Sequence, residues 1–447
     1  MTMTDPGTGA RRRRPPVIEP APGFAKGIRE LPRHLNVATI GAGVVAAIFG
    51  CTGPALIIIN GAAESGLSMI ETVSWIFGCY VFGGLISLIM ALRYQQPAVG
   101  AYSIPGAVLV VAAFADYSLP QMAGAYLVAG VLVLIIGVTG VVRRVATWFP
   151  FPIVMAMIAG ALLRFGVGIV DAVGAAPIVA GAAVVGFVIF SLTFPKIPGV
   201  IGALLLGGIA AVLTNSVTSP EGSMGFVMPQ LVMPQFDPGA LVAVALPLAL
   251  LVIGAENAQA MGVMMAEKYR PPFNAMTVIS GIGGMVTSIF GAHNANIAGP
   301  MTAICSSEQA RENRSGRYAA SVVNGILFGS FGLFAGFAVA TVTMLPASLV
   351  GMLAGLAMIG VLLSAFQGAF GEKRFQTGAF FAFVVAVSGI NVAGISAPFW
   401  SLVIGLLVSL VLDRKDFRAR REEEAAARQA DEADEAATTR TDEASAS

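Results

Sequence analysis

Ser103-Ile104-Pro105-Gly106 interrupts an apolar stretch at residues 97–114, and Asn296-Ile297-Ala298-Gly299-Pro300 opens a second interrupted stretch at residues 296–308. Proline lacks a backbone donor and fits the first turn of a helix, so each break reads as extended backbone followed by a half-helix. Ser103 and Asn296 are natural N-caps for those half-helices. Two half-helix N-termini that meet inside a bilayer present free N–H groups and positive dipole ends, which suit an anion such as a carboxylate. The plainer reading is a pair of kinks repaired by neighbouring helices.

Working outward, the chain divides into apolar stretches of membrane-spanning length. It is 56% apolar and only 11% charged, against roughly 25% charged in soluble domains. Of its 51 charged side chains, 10 lie in residues 1–35 and 18 in residues 413–447, which leaves an apolar body between two polar tails. A crossing of roughly 30 Å needs about 20 apolar residues. On that basis fourteen spans are expected. The first seven are residues 36–60, 67–92, 97–114, 120–142, 149–170, 175–195 and 198–216. After a polar loop at 217–238 the second seven are 240–266, 272–291, 296–308, 317–342, 345–368, 375–391 and 395–412.

Charge supports this threading. With both tails cytoplasmic, Arg93, Arg143, Arg144, Lys196, Lys268, Arg270, Arg311, Arg314, Arg317, Lys373 and Arg374 all fall in inner loops. Glu64, Glu71, Asp116, Asp171, Glu221 and Asp237 fall outside or at outer edges, as the positive-inside rule requires. An odd number of spans per half makes the second half an inverted copy of the first, with breaks in spans three and ten, a plan shared by many secondary transporters. The expectation is thus an all-α polytopic protein of the inner or plasma membrane. Its parts are an N-terminal tail (1–35), a seven-span repeat (36–216), an extracytoplasmic loop (217–238), an inverted repeat (239–412) and a charged tail (413–447). The first tail, with Arg11 to Arg14, has no cleavable signal pattern. The last has helix-forming composition but no apolar face to bury, so it reads as disordered or frayed.

Ionisable residues inside the body are few, and each costs at least about 2.5–3.5 kcal/mol against lipid. Glu256 lies in the polar island Gly254-Ala255-Glu256-Asn257-Ala258-Gln259 near the middle of span eight. A buried carboxyl there is suited to load and release a proton or to hydrogen-bond a substrate; its structural alternative is a paired Glu that holds helices together. His293, in Gly291-Ala292-His293-Asn294-Ala295-Asn296, precedes the second break. With an ordinary pKa of about 6.5, histidine suits a proton relay, and it equally suits a cap on interrupted backbone. His34 precedes span one and reads as solvated. Arg164 sits about 20 Å along span five, where it faces a cavity, pairs with Asp171 seven residues on, or snorkels outward.

Cys51, Cys79 and Cys305 show no metal-ligand spacing and read as packing residues. No phosphate-binding loop, HExxH or GxSxG pattern occurs, so the expectation is no enzyme, no metal, no cofactor and no nucleic-acid partner. Glycine-rich spans suit both intrachain packing and a homodimer.

Four stretches resemble the benzoate:proton symporters of the BenE type, over most of residues 36–412. They are Arg93-Tyr94-Gln95-Gln96-Pro97 with Tyr102-Ser103-Ile104-Pro105-Gly106-Ala107; Phe290-Gly291-Ala292-His293-Asn294-Ala295-Asn296-Ile297-Ala298 with Thr302-Ala303-Ile304-Cys305; Arg317-Tyr318-Ala319-Ala320; and Ser388-Gly389-Ile390 with Phe399-Trp400. The resemblance implies the fold shared with nucleobase and sulfate transporters. There, spans one to four and eight to eleven form a core, the rest form a gate, and short strands of spans three and ten meet at the midplane. It implies proton-coupled symport of a small aromatic carboxylate such as benzoate, bound by Tyr102, Ser103, Ile104, Glu256, Asn257, His293, Asn294 and Asn296. From the residues themselves, Glu256 first and then His293 are the candidates for coupling to the proton, and Arg164 is a candidate gate-side contact. Span eight departs from the family, since Glu256-Asn257 is followed by Ala258-Gln259-Ala260 where Gln-Asn and then Pro-Gly are usual. Glu256 is also similar to the span-eight glutamate of nucleobase transporters, although Ala295 and Ala260 differ from their pattern. A nucleobase or other organic-anion symporter, and an uncoupled anion or solute channel, are the alternatives.

Overall fold

The computed structural model describes residues 17–141, 150–194, 198–219, 226–308, 310–392, 395–420 and 422–423. Arg11 to Arg14, Arg143, Arg144, Lys196, Glu221 and Glu424 lie outside the described residues. The chain is a helical membrane protein. Among the described residues, six helices are long and apolar enough to cross a bilayer, or seven if one bent pair is a single span, and five more apolar helices are shorter.

The first half runs α1 (Phe24–His34), α2 (Val37–Cys51), α3 (Gly53–Glu64), α4 (Met69–Tyr94), β1 (Gly100–Ala101), α5 (Ile104–Ala113), α6 (Leu119–Thr139), α7 (Phe151–Ala175), α8 (Pro177–Thr193) and α9 (Gly199–Leu213). The second half runs α10 (Pro238–Ala266), α11 (Phe273–Ser288), β2 (Asn296–Ile297), α12 (Gly299–Ser306), α13 (Tyr318–Leu333), α14 (Ala335–Thr343), α15 (Ala347–Phe370), α16 (Gln376–Ser388), β3 (Asn391–Val392), β4 (Ile395–Ser396) and α17 (Ala397–Leu412). Local chemistry sets several of these boundaries. Ser68 and Glu71 form a reciprocal capping box at the start of α4, and Gln95 ends it in the left-handed conformation at φ 51°. Helices pack in pairs: α4 on α13, α6 on α11, α8 on α9, and α7 on both α15 and α16. Peripheral positions such as Leu192 and Leu213 are 80% and 78% exposed, as side chains that meet lipid should be.

Both proline breaks are present. β1 and β2 pair antiparallel, Gly100 opposite Ile297 and Ala101 opposite Asn296, so α5 and α12 leave the pair in opposite directions with their N-termini close together.

Five expectations need correction. Asn296 does not cap α12: it pairs with Ala101 in the strand register, and the helix starts three residues later with Ala298 as its N-cap. The expected span at 317–342 bends by 64° between α13 and α14. A second strand pair, β3 with β4, precedes α17. The N-terminal tail contains an ordered helix, α1, and His34 at its end is not free in solvent: Arg311 Nη1 lies 3.0 Å from His34 Nδ1, and the Tyr318 ring packs edge-on at 5.5 Å. The C-terminal tail begins anchored, because the Asp413 carboxylate accepts from Gly378 N at 2.9 Å and Asp416 from Phe375 N at 2.7 Å. Phe417 stacks edge-on against Phe375 at 4.9 Å, an apolar contact that composition alone concealed.

Candidate functional site between two half-helices

Short paired strands leave many backbone groups without ladder partners, and in a bilayer each must find one inside the protein. Ser103 is held on three sides: its N–H donates to Asn294 Oδ1 at 3.0 Å, its carbonyl lies 3.0 Å from His293 Nε2, and its hydroxyl accepts from Gly106 N at 3.0 Å. The last contact is the expected N-cap of α5. Opposite it, Ile297 N donates to Ser280 Oγ at 3.1 Å, and Ser280 Oγ in turn donates to Asn257 Oδ1 at 3.1 Å. Val99 N donates to Thr302 Oγ1 at 3.1 Å, and Gly100 N to Ser87 Oγ at 2.8 Å. The second half, through Asn294, His293 and Thr302, thus ties down the first half's break, whereas the side chains that hold its own break, Ser280 and Asn257, come from within it.

His293 is fully buried, and its tautomer follows from its neighbours. The Trp75 indole can only donate, and its Nε1 lies 2.9 Å from His293 Nδ1. Nδ1 therefore accepts, and the ring proton sits on Nε2, directed at the Ser103 carbonyl. Both nitrogens are engaged in the neutral ring. The Tyr80 hydroxyl donates to the Gly50 carbonyl at 2.7 Å, so the Tyr102 hydroxyl, 2.8 Å away, donates to Tyr80. Tyr102 then offers its ring rather than its hydroxyl, within an aromatic wall where Tyr80 stacks on Phe328 at 4.3 Å.

Glu256 lies in a π-helical turn of α10, Val252–Asn257, a distortion frequent at functional positions. Its carboxyl is 5% exposed and faces the backbone N–H groups of Gly299 and Ile104 and the Ser103 hydroxyl. Gly299 and Ile104 are the first residues of α12 and α5, so one carboxyl meets both half-helix N-termini. A Cβ at Gly299 would lie 2.4 Å from Gln259 Oε1, so a larger residue there would displace the Gln259 side chain.

A cavity of about 370 Å³ opens beside this carboxyl, lined by Glu256, Gln259, Ile104, Pro105, Pro300 and Ile304 and, from the facing helices, by Met155, Ile158, Val361 and Ser364. A smaller pocket under Glu256 is lined by Tyr102, Met301 and Phe328. Of the expected site residues, Tyr102, Ile104 and Glu256 line these spaces. Ser103, Asn257, His293, Asn294 and Asn296 are buried behind them, where they hold the breaks. Asn257 Nδ2, Asn294 Nδ2 and Asn296 Oδ1 have no hydrogen-bond partner among the described residues. Arg164 is elsewhere, in a cavity of about 530 Å³ with Asp116 and Asp171. Its guanidinium lies 5.0 Å from the centre of the Phe165 ring. Sequence reasoning missed Trp75, Tyr80, Phe49 and Gln259. The available signal was the Trp75 indole, which needs an acceptor wherever it is buried.

Residues 33–411 match the family model described as benzoate membrane transport protein. The chain is 29% identical over 383 residues to the inner membrane protein YdcO of Escherichia coli, covering 85% of this chain and 98% of that one. It is 26% identical over 385 residues to the benzoate membrane transport protein of Acinetobacter baylyi, covering 86% and 98%. Among solved structures, the transmembrane domain of the cyanobacterial bicarbonate transporter BicA superposes with a TM-score of 0.56 at 15% identity, over 83% of this chain and 96% of that one. The murine anion transporter Slc26a9 in its inward-facing state gives 0.59 at 14% identity, over 86% and 70%. These structural likenesses speak to the fold alone.

Proposed function

Because the chain belongs to the benzoate membrane transport protein family, a family of membrane transporters, we propose that it carries a small aromatic carboxylate such as benzoate across the inner membrane together with a proton. The observation that carries this reading is the Glu256 carboxyl set against both half-helix N-termini. An ionised Glu256 and an arriving carboxylate want the same N–H groups of Ile104 and Gly299. Protonating Glu256 removes its charge and frees those donors, so the anion enters only with a proton, and neither partner is retained alone. The aromatic ring would lie among Phe49, Ile158, Val361 and Ile304, in a space whose volume suits a small ligand. Asn257 and Asn294 supply spare amide donors behind the site.

His293 takes a positioning role in this scheme, since its neutral ring is fully engaged, and Glu256 is the proton carrier. We read the architecture as fourteen spans in two inverted seven-span repeats. Residues of α2–α6 and α10–α14 would form the core that carries the site, and α7–α9 and α15–α17 the gate against which it moves.

Reconstitution into vesicles with a pH-sensitive dye inside tests the reading. Benzoate entry should acidify the lumen faster than in protein-free vesicles, a control required because neutral benzoic acid leaks through lipid. Glu256→Gln should lose accumulation driven by a pH gradient while benzoate still raises its melting temperature. Protein-dependent benzoate entry without proton entry would make the protein a channel, and stabilisation by uracil but not benzoate would move the substrate to the nucleobase class.

A further inference from the structure

The helix α1 has three faces, and only one of them rests on protein. At 3.6 residues per turn, Gly27, Glu30, Leu31 and His34 share a side, and that side is docked. Gly27 is pressed so closely to the end of α4 that a Cβ would lie 1.9 Å from the Leu92 carbonyl oxygen. The Tyr318 hydroxyl donates to the Gly27 carbonyl at 3.0 Å, and Gln95 Nε2 donates to Glu30 Oε2 at 2.7 Å.

The next side around the helix is apolar and largely uncovered: Phe24, with the Arg93 guanidinium 5.9 Å from its ring centre, is 39% exposed, Ile28 57%, and Leu35, just past the helix end, 38%. The third side carries Lys26, Arg29 and Arg33, all exposed. The apolar side runs straight into the outer surface of α2, where Val37 is 88% and Ile40 45% exposed. That surface belongs to the first apolar crossing. An apolar stripe continuous with a lipid-facing helix and bordered by three bases is the pattern of a helix lying in the headgroup plane.

We propose that α1 binds an anionic phospholipid surface, with Phe24, Ile28 and Leu35 in the acyl boundary and Lys26, Arg29 and Arg33 on lipid phosphates. Charge complementarity selects the occupant, because the bases lie at the depth of the headgroups once the apolar side is inserted. Through Leu92, Gln95 and Tyr318 the bound leaflet would then hold the ends of α4 and α13.

Two measurements test this, and neither depends on the transport reading. First, Cys51, Cys79 and Cys305 are replaced by alanine, and Ile28→Cys is labelled with an environment-sensitive dye. The protein is then placed in vesicles of equal parts phosphatidylcholine and phosphatidylglycerol. The dye should report an apolar setting; a water-like emission overturns the proposal. Second, native mass spectrometry of protein carrying Lys26→Gln, Arg29→Gln and Arg33→Gln should show the preference for phosphatidylglycerol over phosphatidylcholine reduced by about fivefold per removed base, on the order of 100-fold in all. An unchanged preference overturns it. Should the triple variant unseat α1, the dye measurement with all three bases intact still decides.

Discussion

Trp75 and His293 stand 218 positions apart in the chain, yet a single 2.9 Å hydrogen bond between them settles where the imidazole proton resides. His293 then aims Nε2 at the carbonyl of Ser103, the residue that caps one half-helix. Trp75→Phe removes the strong donor to a buried nitrogen and leaves it only the weak Cys79 thiol, 3.5 Å away, a loss of about 1–3 kcal/mol. The expected outcome is a KM for benzoate raised on the order of 10-fold, with the pH midpoint of uptake where it was. His293→Gln should behave in the same way if the ring only positions. A shifted midpoint in His293→Gln would instead put the imidazole in the proton path. Glu256, His293 and Ser103 were legible in the sequence because polar side chains are scarce in apolar spans and expensive there. Phe49, Phe328 and Ile158 were not, since an apolar residue that lines a cavity looks the same in sequence as one that packs against lipid. Asn257, Asn294 and Asn296 were legible as important, but not as the scaffold behind the cavity, because sequence gives a polar residue's presence and not the direction it points.

At the scale of elements, proline chemistry marked both breaks, and the β1–β2 pair follows from them. The antiparallel register decided what sequence could not: it keeps Asn296 in the strand and leaves the cap of α12 to Ala298. The bend at Phe334 falls between Gly332 and Gly336, residues that let a helix kink, whereas sequence did not announce the π-helical turn around Glu256. Arg317 shows the same limit. It read as one more inner-loop base, yet it is 1% exposed and bonds Glu267 at 2.7 Å while donating to the carbonyls of Ser306, Arg311 and Glu312. Because Ser306 ends α12 and Glu267 follows α10, Arg317 staples the far end of the half-helix to the helix that carries Glu256. Arg317→Met would leave those carbonyls and a partly exposed carboxylate without their shared donor, at about 3 kcal/mol. A melting temperature several degrees lower, with Arg317→Lys intermediate because it lacks the planar fork, is the expected result in thermal unfolding.

At the scale of the whole molecule, the site cavity has two kinds of wall. Glu256, Gln259, Pro105 and Pro300 come from the elements around the strand pair, whereas Met155, Ile158, Val361 and Ser364 come from α7 and α15, which pack on each other. A cavity built across such a seam changes shape when the two sets slide, and that is what alternating access requires. The cavity around Arg164 lies on the same seam: α5 contributes Ile104 to the first space and Val108 to the second, and α7 contributes Ile158 and Ala161. About one helical turn separates the two spaces on each helix, so on the proposed transport reading a small displacement would move the barrier. In a chain whose native cysteines are replaced, Ser364→Cys should react with a membrane-impermeant thiol reagent added on the side of the Lys and Arg loops, and benzoate should slow that reaction. The same reagent added from the opposite side should label only while transport is turning over, because only then is the cavity presented there. Equal labelling from both sides at rest would mean a continuous pore, and with it the loss of the coupling argued from Glu256.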